Sequence, residues 1–512
     1  MRRALILVSL LALVAGAFPA GAAPKAGAQG PNEEFRLFGG GWGHGLGMSQ
    51  WGAYGLARDG WGPTKILRHF YSGTRVARTN APRHLRIGLV QGRGSIRLEA
   101  EGGDVDLRLG DAQSGNVVAT IPSGETWRVR AAGDRYRIVD ASGSLVDVTG
   151  GPSNQLFVVY ESAGSRVRVP EAGHAYNRGS IEFDLYSCTN DECVMRLVLT
   201  VVPQGYLYGL AEVPSSWPPA ALRAQAIAAR TYAFTKAANS QHRPVCDCAL
   251  YASSFDQVYA GWDKEGGLDG NRWVSAVDDT LDQVVLDGGQ TIQAFYMSSS
   301  GGYTENNENV WGGAPISYLR GVCDPGDYTD ANPNAVWAET FTAGQVTRDL
   351  GLGIGSVSRF TNVERGVSGR ILTVTVIGAK GQSSISGNIL QSALGLNDDR
   401  VWIDADRRVV GAIRGKYDAL GCSPGLPMSR EVRVAGGTRQ TFEGSTIYHS
   451  AATGAHELRG PVLDHYLRRG GPAGNLGFPT SDVRRMPNGN LRASFEHGVI
   501  TCEPDGSTCR VD

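Results

Sequence analysis

From about residue 82 to 202 the chain alternates apolar and polar residues in short runs, and this pattern constrains the fold more than any other feature. Residues 126–130 read Thr-Trp-Arg-Val-Arg and residues 165–169 read Ser-Arg-Val-Arg-Val, with Gly, Asp and Ser between the runs. Successive side chains of a β-strand point to opposite faces, so such runs predict half-buried antiparallel strands. Residues 218–238 differ, because their many Ala residues and helically spaced apolar positions predict one strong helix. The expected fold class is therefore α+β and β-rich.

Composition excludes two classes of protein. Hydrophobic residues make up 41% of the 512 residues, which is enough to bury a core, so a disordered chain is excluded. The 49 basic residues are balanced by 50 acidic ones, which leaves no general positive field to attract nucleic acid. The length corresponds to roughly three domains.

The first residues of the sequence indicate export. The basic pair Arg2-Arg3 precedes an apolar run over residues 4–18, and small residues follow it. This order predicts a secretory signal peptide over residues 1–23 and a polar leader over residues 24–37. The alternative is an uncleaved membrane anchor, but the run is shorter than the roughly 20 apolar residues that a span needs. The mature protein is therefore expected to be secreted, with no stable membrane span.

Export makes disulfides the default state of the eight Cys residues. The spacings are compatible with two local bridges and a long-range one: Cys188 with Cys193, Cys502 with Cys509, and Cys323 with Cys422. Cys246 and Cys248 have a single residue between them, which is an awkward spacing for an unstrained bridge. Connectivity does not follow from sequence alone, so these pairings are hypotheses.

One carboxylate has an unusual setting. Glu212 lies in an apolar, aromatic stretch with Tyr208, Leu210 and Trp217, just before the predicted helix. An apolar environment disfavours the charged form of a carboxyl group, so a raised pKa would keep Glu212 protonated and able to donate a proton. A helix N-terminus has the opposite effect, because it stabilises anions. The residues alone leave two interpretations open, a general acid or an acid near the start of a helix.

The stretch around Glu212 resembles a known family. Residues 206–234, which begin Tyr-Leu-Tyr-Gly-Leu-Ala-Glu-Val-Pro, resemble the signature of the SpoIID/LytB family, the stage II sporulation protein D group. Residues 256–261 (Asp-Gln-Val-Tyr-Ala-Gly) and 294–305 (Ala-Phe-Tyr-Met-Ser-Ser-Ser-Gly-Gly-Tyr-Thr-Glu) resemble later blocks of the same family. The resemblance covers roughly residues 180 to 400 and rests on several ordered motifs.

The resemblance implies a reaction and a catalytic residue. Catalytic members of the family are peptidoglycan lytic transglycosylases whose general acid is the Glu of a Glu-Met-Pro block, which is Glu212 here, with Val213 in place of Met. Such an enzyme protonates the oxygen of the MurNAc-GlcNAc bond. Its carboxylate then takes the proton of the sugar's own 6-hydroxyl, which closes a 1,6-anhydro ring without the second carboxylate of ordinary glycosidases. The implied partner is the peptidoglycan glycan strand, preferably free of peptides.

A second block, residues 39–53, is rich in Gly and contains Gly-His-Gly-Leu-Gly-Met-Ser-Gln. Its many Gly residues indicate backbone that passes close to another surface, and its polar side chains are typical of carbohydrate contacts. A structural turn with a hydrogen-bonded His is the alternative. The block resembles a family segment that normally follows the other blocks. Because it precedes them here, the resemblance implies a circularly permuted order, in which residues 38–77 return to the Glu212 cleft with His44 and Gln50 lining it.

The resemblance also implies a set of glycan-contacting residues on several segments. They are His44, Met48, Ser49, Gln50, Arg230, Gln257, Tyr259, Ser299, Ser300, Gly301 and Tyr303. A serine nucleophile in the loop over residues 298–302 is disfavoured, because no positioned His-Asp pair is apparent.

Some members of this family bind zinc through one His and two Cys. His242, Cys246 and Cys248 offer three ligands of suitable chemistry. Their spacing fits no standard site, and Asp256 stands where the family places its second Cys. No cofactor is therefore expected, and a disulfide or unpaired structural thiols are preferred for the two Cys.

The C-terminal stretch contains a repeat. Residues 442–448 recur loosely as residues 495–501, with Leu-Gly-Phe-Pro at residues 476–479 between the copies. A fixed period is typical of a repeated structural unit. The stretch resembles LGFP repeats, which are associated with cell-wall attachment, so we expect residues 425–512 to form a module that binds cell-wall polysaccharide. A small structural cap without a ligand is the alternative.

These observations predict a secreted, cell-wall associated lytic transglycosylase. After the signal peptide and leader, the expected domains are the permuted segment (38–77), a β-rich domain (78–179), a SpoIID-like catalytic core (180–424) and the repeat module (425–512). Two other functions stay open. One is a glycan-binding modifier that stimulates a wall amidase without cleaving glycan, as on the LytB side of the family, and the other is an adhesive wall protein.

Overall fold

The computed structural model describes residues 34–512 except 134, 147–154, 161, 163, 190–191 and 504. The expected signal peptide, residues 1–23, and most of the expected leader lie outside these residues. Among the described residues, no helix is both long enough and apolar enough to span a membrane.

Strands dominate the described part of the chain. The first group, in chain order, is β1 (Glu34–Gly39), β2 (Met48–Ser49), β3 (Arg75–Arg78), β4 (Leu85–Arg93), β5 (Ser95–Glu101), β6 (Val105–Leu109), β7 (Asn116–Ile121), β8 (Thr126–Ala132), β9 (Arg135–Val139), β10 (Leu145–Val146), β11 (Leu156–Tyr160), β12 (Arg166–Val169), β13 (His174–Tyr176), β14 (Ser180–Thr189) and β15 (Glu192–Val201). The second group is β16 (Leu250–Tyr251), β17 (Gln283–Asp287), β18 (Gln290–Thr291), β19 (Tyr296–Met297), β20 (Trp337–Thr342), β21 (Val357–Arg365), β22 (Ile371–Gly378), β23 (Gly381–Ser386), β24 (Val401–Ile403), β25 (Val432–Val434), β26 (Gly437–Thr441), β27 (Thr446–Ser450), β28 (Gly454–Leu458), β29 (Arg484–Arg485), β30 (Leu491–Phe495), β31 (Gly498–Cys502) and β32 (Cys509–Val511).

Helices connect and cover these strands. They are α1 (Gln50–Arg58), α2 (Pro63–Phe70), α3 (Pro203–Tyr208), α4 (Pro219–Asn239), α5 (Trp262–Glu265), α6 (Gly270–Asp278), α7 (Asn307–Val310), α8 (Ala343–Leu350), α9 (Gly387–Leu394), α10 (Gly411–Ala419) and α11 (Gly460–Arg468). The expected α+β class, rich in β-strands, agrees with this content.

Two large sheets form the body of the N-terminal half. A six-stranded sheet, β10-β9-β8-β5-β12-β13, and a seven-stranded sheet, β16-β4-β15-β14-β11-β6-β7, share one apolar core. The alternating pattern in the sequence is the cause, because most of its apolar positions point into that core while most polar positions face outward. The domain boundary expected at residues 179 and 180 falls inside the second sheet, since β11 pairs with β14. Strand pairing between distant segments, which a linear pattern does not reveal, joins the two expected domains.

Helix α4 confirms the predicted helix and lies at the centre of the site described below. Its N-cap is Pro218, with Pro219 at the first helical position, where the missing N–H of proline costs nothing. Fourteen of its 21 residues are buried. The small Ala side chains let α1, α2, α6 and β17 all pack closely around it.

The N-terminal segment is tied to distant parts of the chain. β1 pairs with both β20 and β24, so the last residues of the expected leader, 34–37, belong to a sheet. β2 lies parallel to β19, with Met48 opposite Tyr296. These pairings bring residues 34–50 beside the loop that follows β19.

The C-terminal module contains two four-stranded sheets, β25–β28 and β29–β32, in which the same contact recurs. The Glu443 carboxylate accepts the N–H of Leu426 at 2.9 Å, and the Glu496 carboxylate accepts the N–H of Phe478 at 2.7 Å. A Gly precedes each of these N–H groups, Gly425 in one case and Gly477 in the other, and both have positive φ. The sequence repeat thus corresponds to a repeated contact in the structure.

Three disulfides are formed among the described residues. They are Cys246–Cys248, Cys323–Cys422 and Cys502–Cys509. The last two were expected, whereas the expected partner of Cys193, Cys188, has a side chain outside the described part. The spacing of Cys246 and Cys248 is not an obstacle to a bridge, because the intervening Asp247 adopts a left-handed backbone with φ of 49° that turns both sulfurs to one side.

Candidate active site

A cleft of about 780 Å³ lies beside α4. The N-terminal segment, the loop before α4, α4 itself and the segments that follow it contribute to its lining. Its lining is Trp42, Gly43, His44, Gln50, Glu212, Tyr232, Lys236, Ser254, Phe255, Asp256, Val258, Phe295, Tyr296, Met297, Ser298 and Trp311. The residues 38–77, expected to return to the Glu212 cleft, thus supply part of its wall.

Glu212 lies in the floor of this cleft, in the loop between α3 and α4. The N–H of Ala211 bonds to the carbonyl of Val258 at 2.9 Å, which holds the loop against the following strand-like segment. The N–H of Val258 in turn donates to Glu212 Oε1 at 2.6 Å, and Gln50 Nε2 lies 3.4 Å from Oε2. Burial outweighs these hydrogen bonds and raises the pKa of Glu212. The buried setting therefore shifts Glu212 toward its acid form relative to an exposed glutamate, in the direction that a general acid needs.

Two buried side chains and the half-buried Tyr296 support Glu212 from behind. The Tyr206 hydroxyl donates to Gln257 Oε1 at 3.0 Å, and Gln257 Nε2 donates to the Tyr296 hydroxyl oxygen at 2.9 Å. The Tyr296 hydroxyl hydrogen is then free to bond the Glu212 carboxyl group, a contact that lowers the pKa of Glu212. This chain orients one donor toward the acid and leaves the other side of the carboxyl group facing the cleft.

The other carboxylate of the lining, Asp256, differs in charge state. It is in contact with Lys236 at 3.0 Å and Arg243 at 2.7 Å, and it accepts the N–H of Tyr251 at 2.9 Å and the hydroxyl of Tyr232 at 2.9 Å. Burial alone would raise the pKa of Asp256, but these donors together hold the pKa below its usual value. Its oxygens are therefore ionised and already occupied.

His44 lines the cleft as a neutral imidazole. Burial and the nearby Arg370 cation lower the pKa of His44 to about 4. Its Nδ1 accepts the N–H of Leu46 at 3.1 Å, so Nε2 carries the hydrogen and donates to the carbonyl of Tyr296 at 3.1 Å. Both ring nitrogens thus have protein partners, as expected for the alternative of a structural turn with a hydrogen-bonded His. The side chain nevertheless forms part of the cleft wall.

Glycine is required where this segment passes the loop after β19. Gly47 has φ of 69°, and a Cβ there would lie 2.0 Å from the carbonyl oxygen of Phe295. A Cβ on Gly45, with φ of 83°, would lie 2.6 Å from Arg370 Nε. The Gly residues of this block are therefore explained by close approach to the Phe295 backbone and to the Arg370 side chain.

Three aromatic side chains stand exposed around the cleft. Trp42 is 53% exposed, Phe255 is 72% exposed and Trp311 is 50% exposed. Large apolar side chains exposed together mark a binding surface more often than a lone exposed residue does. Trp311 also lies against His44, with ring centroids 5.0 Å apart. The rim therefore offers flat apolar faces of the kind on which sugar rings stack.

Several residues expected to touch glycan lie beneath the cleft. Met48 is fully buried in β2. Ser49, Ser299 and Ser300 are also fully buried, and they pack around two buried acids, Asp324 and Asp327. The hydroxyls of Ser49 and Ser299 donate to Asp327, each at 2.9 Å, and the Ser300 hydroxyl donates to Asp324 at 2.6 Å. These serines are therefore structural, and Ser298 is the member of their loop that lines the cleft.

Two further residues of that loop also support it rather than line the cleft. Gly301 is packed against Gly40, and the carbonyl of Tyr303 accepts a hydrogen bond from Arg370 at 2.9 Å. Gln257, as described, acts through Tyr296. All three are corrected from direct glycan contacts to supporting positions, because their polar atoms or backbone are used by protein partners.

Arg230 and Tyr259 are likewise corrected. Arg230, 1% exposed on α4, donates to the carbonyls of Val277 and Gln283 at 3.1 Å each, so it fastens α4 to its neighbours. Tyr259 stacks on Tyr206 with ring centroids 5.0 Å apart inside the core. Neither side chain lines the cleft.

The expected weak zinc ligands do not fit a metal site in this structure. The sulfurs of Cys246 and Cys248 are bonded to each other, so neither is a thiolate. His242 is exposed, and its Nδ1 lies 2.6 Å from Asp247 Oδ1.

Sequence reasoning missed Tyr296, Trp42 and Phe255 as site residues. Trp42 and Tyr296 lie inside the motif blocks at residues 39–53 and 294–305. The polar residues beside them were chosen as the site residues instead. Phe255 carries a weak signal, a Phe in the polar context Ser-Ser-Phe-Asp. An exposed aromatic among turn residues is the pattern that could have revealed it.

Comparison with known proteins identifies two matching families. Residues 194–286 match the family described as Stage II sporulation protein, SpoIID, and residues 425–474 match the LGFP repeat. Both resemblances seen in the sequence are therefore confirmed. The SpoIID match does not include residues 38–77, so the circularly permuted order stays a prediction.

Curated relatives agree with the first match. Stage II sporulation protein D of Bacillus subtilis is 28% identical over 229 residues, which are 43% of this chain and 65% of that protein. Its counterpart in Bacillus amyloliquefaciens is 28% identical over 208 residues, 38% of this chain and 59% of that protein. The amidase enhancer of Bacillus subtilis is 34% identical over 142 residues, 28% of this chain and 17% of that protein. The chain thus spans less than two thirds of the length of each of these relatives.

Proposed function

We propose that this protein is a secreted, cell-wall associated lytic transglycosylase that cleaves the MurNAc-GlcNAc bond of peptidoglycan glycan strands. One observation carries the proposal: a single carboxyl group with a raised pKa, Glu212, lies in the floor of a cleft rimmed by exposed aromatics. The SpoIID match associates the chain with proteins of the cell wall, and the LGFP match supports retention there by the C-terminal module.

In the first step Glu212 donates its proton to the glycosidic oxygen. The N–H of Val258 bonds Oε1 at 2.6 Å, whereas the Gln50 contact with Oε2 is longer at 3.4 Å, so Oε2 is the oxygen that carries the transferable proton in this proposal. The bond between the anomeric carbon and the protonated oxygen then breaks. The Val258 N–H, Gln50 and Tyr296 stabilise the carboxylate that this step creates.

In the second step the Glu212 carboxylate removes the proton of the 6-hydroxyl on the MurNAc residue whose glycosidic bond has just broken. The freed oxygen attacks the anomeric carbon and closes the 1,6-anhydro ring, which returns Glu212 to its acid form. This chemistry needs one carboxyl group. Asp256, the other carboxylate lining the cleft, is bonded to Lys236 and Arg243 and is not available as a second base.

The other features of the chain take defined roles in this proposal. Trp42, Phe255 and Trp311 stack on sugar rings. Gln50 holds the Glu212 carboxyl group in position, and the ring of His44 supports Trp311 at the cleft wall. Residues 38–77 act as a circularly permuted part of the catalytic unit. The signal peptide exports the protein, and no metal takes part.

The direct test is mass spectrometry of the products formed from purified protein and defined glycan strands. Peptide-free and peptide-bearing strands are incubated in parallel. We expect fragments that end in 1,6-anhydro-N-acetylmuramic acid, formed faster from the peptide-free strands. Fragments with an ordinary reducing end would contradict the proposal, because they require water as the nucleophile.

A second candidate function rests on the similarity to the amidase enhancer of Bacillus subtilis. In this alternative the cleft binds glycan without cleaving it, and the protein stimulates a wall amidase. The replacement of Met by Val213 in the family block favours it, whereas Glu212 with its raised pKa favours chemistry. Intact strands that are nevertheless bound, together with faster peptide release by an added amidase, would select this alternative.

The pH dependence of cleavage follows from the pKa of Glu212. The acid form is required first, so kcat/KM falls as pH rises through a pKa above the ordinary 4.5. In Tyr296→Phe the carboxylate loses one hydrogen bond, which raises that pKa further. We expect the alkaline limb of the pH–rate profile to move to higher pH in this variant. If the variant is slower but the alkaline limb of its pH–rate profile stays where it is in the parent, Tyr296 contributes only packing and does not set the pKa of Glu212.

A further inference from the structure

The outer face of the six-stranded sheet carries a cluster of four arginines. Cross-strand register places Arg97 of β5 directly opposite Arg128 of β8, and Arg130 of β8 directly opposite Arg137 of β9. All four are exposed. Their neighbours along each strand point into the core, so the four guanidinium groups share one face. This set, Arg97, Arg128, Arg130 and Arg137, is called the arginine face below.

This arrangement has an energetic cost for the isolated protein. Side chains directly opposite on an antiparallel pair lie about 5 Å apart at Cβ, and like charges there are destabilising. The rest of the sheet avoids the cost: Arg166 and Arg168 both bond the Glu101 carboxylate at 2.7 Å. The arginines of β12 are therefore neutralised by an acidic neighbour, whereas the arginine pairs between β5, β8 and β9 face each other directly.

Acidic partners are scarce on the arginine face. Arg97 bonds Glu171 at 2.9 Å. Within the part of the chain that the structure describes, Arg128, Arg130 and Arg137 make no ion pair and no side-chain hydrogen bond. The chain as a whole has a formal charge of −1, so this concentration of positive charge is local and not a general excess.

We propose that the arginine face docks a linear phosphodiester polymer of the cell envelope. Charge complementarity requires an anionic partner, and the planar guanidinium group matches phosphate with two parallel N–H donors. Because the guanidinium groups lie on adjacent strands, a partner that pairs with all of them must carry negative charges at short intervals along its chain. A phosphodiester polymer carries one on every unit, whereas a peptide-free glycan strand carries one carboxylate on every second sugar. No residue of the arginine face lines the Glu212 cleft, so this surface is separate from the proposed catalysis.

The probe for the test is inorganic polyphosphate, added to the full chain at low and moderate salt. The variant Arg128→Gln/Arg130→Gln/Arg137→Gln removes the three uncompensated charges. We expect its affinity to fall at least tenfold and the slope of log K against log salt to become shallower by about 2, because each neutralised phosphate of a single strand contributes about 0.7. Its melting temperature should be unchanged or higher, since repulsion is relieved. An affinity equal to that of the parent would overturn the proposal.

A matched control removes the same charge elsewhere. Arg58→Gln/Arg75→Gln/Arg359→Gln changes three exposed arginines on α1, β3 and β21, none of which lies opposite another arginine. We expect this variant to bind polyphosphate within twofold of the parent. A loss as large as that of the arginine-face variant would show that overall charge, and not this surface, attracts the probe.

Two further ligands separate phosphate polymers from other anions. Poly-glutamate of matched charge and vesicles containing anionic lipid are expected to bind more weakly than polyphosphate. Tighter binding of either one, lost in the arginine-face variant, would overturn the assignment to phosphodiesters in favour of an acidic protein or a membrane. Glu212→Gln should bind polyphosphate like the parent, so a failure of the proposed catalysis leaves this test intact.

Discussion

Glu212→Gln is expected to lower the rate of 1,6-anhydro product formation by about 10²–10⁴-fold, the usual contribution of general acid–base catalysis. Glutamine keeps the shape of the side chain and a carbonyl oxygen to accept the N–H of Val258. It carries no transferable proton, so neither step of the proposed reaction proceeds at its normal rate. Affinity for the glycan strand should stay within about twofold, because the aromatic rim is untouched. Single-turnover product formation and equilibrium binding to the same strands measure the two quantities.

The control for this substitution is Glu339→Gln, which removes an equal charge from an exposed position on β20. It should leave both rate and affinity unchanged. A Glu212→Gln enzyme as fast as the parent would remove the acid from the mechanism. If neither the parent nor the variant cleaves glycan while both bind it, the result contradicts the transglycosylase function and supports the amidase-enhancer function.

Arg370→Met is expected to lower the free energy of unfolding by about 3–5 kcal/mol, the range for breaking one partner of a buried ion pair. Arg370 Nη2 bonds Asp398 Oδ2 at 2.7 Å, and both side chains are at most 2% exposed. Without the cation, the buried Asp398 carboxyl group loses its ion-pair partner, and its pKa, which burial already raises, rises further. Neighbouring Asp399, whose pKa burial and Asp398 already raise to about 7, loses the same compensation. Urea denaturation followed by Trp fluorescence gives the change.

The same substitution should also weaken glycan binding. Arg370 donates to the carbonyls of Ser300 and Tyr303 at 3.1 and 2.9 Å, and it packs against Gly45. It therefore holds together the two loops that meet at the cleft. Arg348→Met on α8, where the side chain is 70% exposed, is the matched control and should cost less than about 0.5 kcal/mol.

A double-substitution cycle separates the ion pair from simple packing. Adding Asp398→Asn to Arg370→Met removes the uncompensated charge, so the double variant should be less destabilised than the sum of the two single variants. Strict additivity would mean that Arg370 acts through its bulk alone.

Local features of the fold and of the site were predictable from the sequence. The alternating runs around Trp127 indicate which side chains point inward, and the Ala-rich stretch after Pro219 indicates α4. The apolar neighbours of Glu212 indicate a raised pKa. Each of these inferences depends on residues close together along the chain, which is why they agree with the structure.

Residues inside the motif blocks were harder to assign. Gln257 and Ser299 occur in blocks that resemble a family signature, and resemblance does not distinguish a residue on the cleft surface from one that supports it. The distinction depends on partners elsewhere in the chain. Gln257 is occupied by Tyr206 and Tyr296, and Ser299 is occupied by Asp327. The exposed aromatics of the rim were missed for the complementary reason, since the sequence carries at most a weak local signal of exposure, as at Phe255 among turn residues.

By itself the sequence determined the strand-rich fold class, helix α4, the two matched families and the candidate acid. Periodicity, propensity and motif spacing are properties of neighbouring residues, so they can be read along the chain. Only the tertiary structure decided that residues 42–50 form a wall of the Glu212 cleft, that most of the motif serines are buried, and that four arginines share one sheet face. Those outcomes depend on strand register and on contacts between segments far apart in sequence, where burial and hydrogen-bond partners are set by packing.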